Sequence, residues 1–193
     1  MFGQVIIMRY QSVWFETQMS DELINLIKNE SRYYDNILAP GSVGAGDVTA
    51  VRDSQVSWIP DNHWIVGMCY HYVLKANKEN FNYDINGFDG GKMQYTSYSE
   101  GEYYNWHTDV DVFVDTESNL DIRKLSIIVQ LSDPEDYTGG EVQLMNGESE
   151  TYFLPKTKGT IIVFDSRTRH RVRKIYSGTR KSLVGWIVGP RWK

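Results

Sequence analysis

The sequence has 193 residues and 22.4 kDa, 41% hydrophobic and 23% charged, which is enough chain to bury one core without disulfides. No apolar run approaches the ~18 residues of a membrane span and no signal-peptide pattern opens the chain; Cys69 is the sole cysteine, so no intrachain disulfide forms and a reducing, cytoplasmic setting is expected. A net charge of -5 weighs against a protein devoted to gripping nucleic acid.

The first half carries helix signals. Ser20, followed by Asp21 and Glu22, reads as an N-cap with acids in the first turn. Leu23, Leu26 and Ile27 then share one helical face. The glycine-rich stretch 41–46 lacks the Lys-Ser/Thr ending of a phosphate loop and is predicted to be a plain loop. A second helix is expected to start at Asp61, after Pro60, with a stripe of Ile65, Met68, Cys69, Tyr72 and Val73, fraying over 77–80.

From Lys92 onward the pattern turns to strands, predicted at 93–98, 106–114, 125–131, 141–145, 151–154, 160–164, 170–175 and 182–188. Turn signals separate them, among them Asp133-Pro134, Gly139-Gly140 (expected as a tight hairpin turn), Asn146-Gly147 and Ser177-Gly178. The fold class expected is mainly β, a double-sheet jelly roll with helices packed outside. One domain over 1–193 is expected, with helical support over about 1–91 and a β core over about 92–191.

Within the strand 106–114, His107 and Asp109 point to one face, roughly 7 Å apart along the backbone. Asp111 shares that face but lies about 13 Å from His107. The triplet alone also fits a surface His-Asp hydrogen bond. His170 follows a strand of buried character and a short polar turn, and would complete two His and one carboxylate around an ion with open positions. Zinc accepts the same donors, so the ligands leave the metal open between iron and zinc. His63, near a helix start, and His71, inside a helix, have no carboxylate at matching strand spacing. Arg180 and Ser182 lie two apart at the start of the last strand and form a good receptor for one carboxylate, or else an ordinary surface arginine with its neighbour.

These signals fall in one order: Tyr98-Ser-Glu-Gly-Glu-Tyr-Tyr-Asn-Trp-His107-Thr-Asp109, Leu125-Ser-Ile-Ile-Val-Gln-Leu131, Tyr137-Thr-Gly-Gly-Glu141, Gly159 to Phe164 running into His170-Arg-Val172, and Gly178-Thr-Arg180. In that order and spacing the chain resembles the prolyl 4-hydroxylase-like branch of the iron(II)/2-oxoglutarate dioxygenases, in its short prokaryotic or phage-type members. The resemblance implies a double-stranded β-helix with His107, Asp109 and His170 as metal ligands. It implies Fe(II), 2-oxoglutarate and O2 as cofactors, with ascorbate a further expectation. Arg180 would bind the far carboxylate of 2-oxoglutarate, Tyr98 would line its pocket, and Gln130 would face that carboxylate where other relatives carry Tyr.

The activity implied is hydroxylation of an unactivated C–H bond, above all in a prolyl residue of a peptide or protein. The alternatives are an oxygenase acting on a small molecule or nucleic acid, a zinc hydrolase or cupin-like isomerase, and a non-catalytic jelly-roll binding module. Tyr103, Tyr104 and Trp106 are expected near the mouth of the site. Arg169, Arg171 and Arg173 alternate on the face opposite His170 and would meet an acidic peptide, nucleic acid, or solvent and neighbouring acids.

Overall fold

The computed structural model describes residues 11–42, 51–110, 121–147 and 150–192. In chain order they form β1 (Trp14–Gln18), α1 (Asp21–Asp35), β2 (Ala39–Pro40), β3 (Arg52–Asp53), β4 (Gln55–Pro60), α2 (Trp64–Ala76), β5 (Gly87–Phe88), β6 (Lys92–Tyr98) and β7 (Tyr103–His107). The second half adds β8 (Ile122–Gln130), β9 (Tyr137–Gly139), β10 (Val142–Asn146), β11 (Glu150–Phe153), β12 (Thr160–Asp165), β13 (His170–Val172), β14 (Ile175–Gly178) and β15 (Arg180–Gly189).

Alternation along the apolar strands builds two cores. In β8, Ile127 and Val129 face the helices while Ile128 faces the other way; in β12, Ile161 and Val163 face the helices while Ile162 and Phe164 do not. The large sheet runs β1-β12-β8-β15-β6-β4-β2, with β5 added to β15, and its helix-side face packs on Ile24 and Ile27 of α1 and Ile65, Cys69 and Val73 of α2. Its other face meets a five-stranded sheet, β11-β10-β13-β7-β3, across Tyr98, Ile128, Leu144, Ile162, Phe164 and Val172. Every strand pairing is antiparallel among the described residues, and the result is a double-stranded β-helix backed by two helices, the expected class. Each fully buried aliphatic side chain in these layers contributes about 1.5–3 kcal/mol of transfer free energy.

Several local expectations change. The α1 stripe is Ile24, Ile27, Ser31 and Tyr34: of the expected Leu23, Leu26 and Ile27, Ile27 is buried and Leu23 packs partly against the core, but Leu26 is 53% exposed. The face runs at spacings of three and four through Ser31 and Tyr34, whose polar groups hide it from a reading of aliphatic residues. Ser20 does cap the helix, its hydroxyl accepting from the Leu23 amide at 3.4 Å. Helix α2 starts at Trp64 rather than Asp61, because the His63 ring caps it and the His63 amide first closes a turn onto the Pro60 carbonyl. It does not fray over 77–80. It passes into a wide π turn, Asn77–Phe81, ended by Asn82 in the left-handed conformation at φ 55°.

Strand β7 ends at His107, not at residue 114; residues 111–120 lie outside the described residues, and with them Asp111. The run 170–175 splits into β13 and β14, which belong to different sheets. Gly139-Gly140 is therefore a corner and not a hairpin turn, since β9 pairs with β14 while β10 pairs with β11 and β13. Both glycines have positive φ, and a Cβ on Gly139 would lie 2.1 Å from the Lys174 carbonyl oxygen. Strands β1 and β4, in the half read as helical, complete the large sheet.

Candidate metal centre

Strand pairing positions the three candidate ligands. His107, the last residue of β7, sits directly across from His170, the first of β13. Asp109 follows two residues on, its amide donating to the Ser166 carbonyl in the turn between β12 and β13. A bulge in β7 sets Tyr104 opposite Val172, so Tyr104 and His107 share the inner face and their rings stack at 3.5 Å and 10°.

One donor atom each from His107, Asp109 and His170 lies within 4.8 Å of the others, and among the described residues no second group of three such side chains does so. His107 Nε2 is 3.6 Å from Asp109 Oδ1, and His170 Nε2 is 3.5 Å from Asp109 Oδ2. Two donors each about 2.1 Å from one ion and at right angles would stand about 3 Å apart, so the group closes on a cation with little movement. His107 Nδ1 lies 2.7 Å from the Asn105 carbonyl and His170 Nδ1 2.9 Å from that of Thr168. Those carbonyls assign the proton to Nδ1 in both rings and leave both Nε2 lone pairs aimed at the shared point.

Electrostatics prepare the same donors. Burial favours the neutral acid of Asp109, yet the His170 and His107 imidazoles and the Ser126 hydroxyl outweigh it and hold the carboxyl well below its usual range. Burial also pushes the His170 pKa down, against the pull of Asp109, which favours the neutral ring that can ligate. Ser126 Oγ donates to Asp109 Oδ2 at 2.6 Å and stands 2.9 Å from Ser166 Oγ, both serines being fully buried. Arg123 donates to the Asp109 carbonyl at 3.4 Å.

A second constellation lies on the same sheet face. Ser126, Ile128 and Gln130 alternate inward along β8, so about 13 Å of strand separates the residue that touches Asp109 from the one that touches Arg180. Arg180 is 1% exposed; it donates to Gln130 Oε1 at 2.9 Å and to Ser182 Oγ at 3.2 Å. Its Nε is buried without a partner, as is the Tyr137 hydroxyl, whose pKa is pushed up by burial against the opposing pull of the Arg180 charge. Among the described residues no carboxylate pairs with Arg180. Tyr98, cross-strand from Arg180 and 3% exposed, places its ring 5.8 Å from the guanidinium. Gln130 donates from Nε2 to the Pro155 carbonyl, so its oxygen is turned to Arg180.

Sequence reasoning missed Ser126, Ser166, Tyr137 and Arg52. Ser126 was visible as a polar residue inside an apolar strand, on the same face as Gln130. Arg52, on β3, is buried with its guanidinium 4.9 Å above the Tyr104 ring that stacks on His107. Trp106, expected at the mouth, lies on the outer face instead, 4.6 Å from the Arg171 guanidinium. His63 serves as a helix cap, and His71 is exposed on α2.

Residues 93–188 match the 2OG-Fe(II) oxygenase superfamily. A PKHD-type hydroxylase of Synechococcus sp. is 36% identical over 91 residues, covering 47% of this chain and 39% of that protein. The chain thus spans well under half the length of that curated relative. A Pseudomonas putida prolyl-4-hydroxylase structure superposes with a TM-score of 0.71 at 19% identity, covering 93% of this chain and 94% of that one. A prolyl hydroxylase from Trichoplax adhaerens, in complex with a hypoxia inducible factor peptide fragment, gives a TM-score of 0.72 at 17% identity, covering 92% and 84%. At those identities the structural likeness speaks to the fold.

Proposed function

We propose that this chain, whose residues 93–188 belong to the 2OG-Fe(II) oxygenase superfamily, is an iron(II)- and 2-oxoglutarate-dependent dioxygenase that hydroxylates an unactivated C–H bond, with a prolyl residue of a peptide as its substrate. The observation that carries this reading is Arg180, a buried guanidinium with an unpartnered Nε and no carboxylate among the described residues, on the sheet face that also holds Asp109. An uncompensated buried charge is costly, and a dianionic ligand with one carboxylate at each end answers both halves of the pocket. A zinc hydrolase would need such an anchor only for a substrate that itself carries a carboxylate, whereas 2-oxoglutarate always presents one.

His107, Asp109 and His170 would hold iron(II) on one side and leave three positions open, as the donor set favours. When bound together, iron, 2-oxoglutarate and O2 supply the oxidising power for hydroxylation, with 2-oxoglutarate decarboxylated to succinate. The chain's own residues bind and orient. Arg180 and Ser182 receive the far carboxylate, Gln130 fixes the guanidinium plane, and Tyr98 and Tyr137 wall the pocket from water. Ser126 holds the Asp109 carboxylate in one orientation. The prolyl assignment rests on the names of the relatives, PKHD-type hydroxylase and prolyl hydroxylase, and on the peptide bound by one of them. We read 1–193 as one domain, because α1 and α2 share a core with the large sheet.

Turnover assays with proline-containing peptides test the reading. Succinate release should disappear in His107→Ala and Asp109→Ala with the circular dichroism spectrum unchanged, whereas Arg180→Ala should raise the KM for 2-oxoglutarate at least tenfold. Full activity in all three variants would refute the site.

A further inference from the structure

The outer face of the five-stranded sheet carries a strip of cations that the proposed reaction does not use. Arg169, Arg171 and Arg173 alternate with His170 and Val172, which point inward. Main-chain bonds from Met145 to the Arg169 carbonyl and from Arg173 to the Glu141 carbonyl extend the β10 pairing to both flanks of β13, so the alternation holds across all three arginines. Their side chains leave the sheet about 6.8 Å apart.

The strip is pre-organised. Arg171 donates from Nε to Gln143 Oε1 at 2.9 Å, and Gln143, only 6% exposed, is itself fixed by a bond from Nε2 to Thr151 Oγ1 at 2.9 Å. Trp106 lies 4.6 Å from the Arg171 guanidinium and 5.9 Å from that of Arg169, and Phe153, 55% exposed, lies 5.8 Å from that of Arg173. Counter-charge is sparse. Among the described residues Glu141 alone reaches the strip, 3.7 Å from Arg173, while Arg169 and Arg171 meet no carboxylate. The chain has 25 acidic and 20 basic side chains, yet among the described residues no acid besides Glu141 is placed against this face.

We propose that this face docks an extended acidic peptide segment with carboxylates at alternate positions. An extended chain repeats its same-side side chains at the spacing of the arginines, and a guanidinium held at Nε presents its two terminal nitrogens to a carboxylate as a fork. The Trp106 ring is already engaged by Arg171 and Arg169, which takes the strip's central aromatic out of use for base stacking, the mark of a single-stranded nucleic-acid groove. The docking needs neither iron nor 2-oxoglutarate, so it stands or falls apart from the proposed activity.

The test is fluorescence anisotropy of a fluorescein-labelled peptide with glutamate at alternate positions, titrated with the whole chain at low salt. The wild type should bind, with affinity falling as salt rises. Arg171→Gln and Arg169→Gln should each weaken binding by roughly tenfold, Arg171→Lys should not restore it, and Arg32→Gln, an exposed arginine on α1, should leave it nearly unchanged. Absence of binding overturns the proposal, and so does equal weakening by Arg32→Gln. Tighter binding of a labelled oligo-dT strand than of the peptide overturns it too, and would make the strip a nucleic-acid contact.

Discussion

Each oxygen of Asp109 faces one of the two candidate histidine ligands. Oδ1 faces His107, while Oδ2 faces His170 and accepts the Ser126 hydroxyl, which Ser166 backs from a fully buried position. Ser126→Ala removes that bond without opening a large cavity, and should weaken divalent metal affinity about 10–100-fold in competition with a chromophoric chelator. Unchanged affinity would show that the serine pair is packing only. Arg180 gives the complementary test, because its charge is buried without an anion among the described residues. Arg180→Met should raise the Tm of the ligand-free protein, by the equivalent of about 1 kcal/mol, and abolish the stabilisation that 2-oxoglutarate gives the wild type. A lower Tm together with a retained ligand shift would contradict the role assigned to it.

At the scale of elements, the helix faces that position the large sheet are testable by truncation. Ile27→Ala on α1 should cost about 2–5 kcal/mol in denaturant unfolding, and Leu26→Ala, one residue away, under about 0.5 kcal/mol. Similar costs for the two would place the helix face wrongly. The strands of the β core were legible because turn residues punctuate them and because buried strands such as β8 and β12 are continuous apolar runs. What was not legible depended on long-range pairing. Gly139-Gly140 has the composition of a hairpin turn, and only the partnering of β9 with β14 makes it a corner. Ser31 and Tyr34 look polar or amphipathic in sequence, yet they close the buried face of α1. The spacing of His107 and Asp109 was local and readable, and their meeting with His170 followed from the order of motifs. The Ser126 bond and the orphaned Tyr137 hydroxyl needed neighbours that no spacing reveals.

Across the whole molecule, one strand joins the two halves of the site. β8 carries Ser126 under Asp109 and Gln130 against Arg180, so one strand in the middle of the large sheet braces side chains of both the candidate metal group and the candidate anion anchor, which themselves lie outside it. The choice of substrate belongs to the surfaces around the site. No helix among the described residues is long and apolar enough to cross a membrane. The proposed joint binding of iron(II) and 2-oxoglutarate at this site is tested by anaerobic titration of the metal-free protein with iron(II) and then 2-oxoglutarate. Joint binding should give a weak visible charge-transfer band from the chelate, lost in Arg180→Ala at limiting 2-oxoglutarate. A folded, iron-loaded protein that shows no band would contradict it.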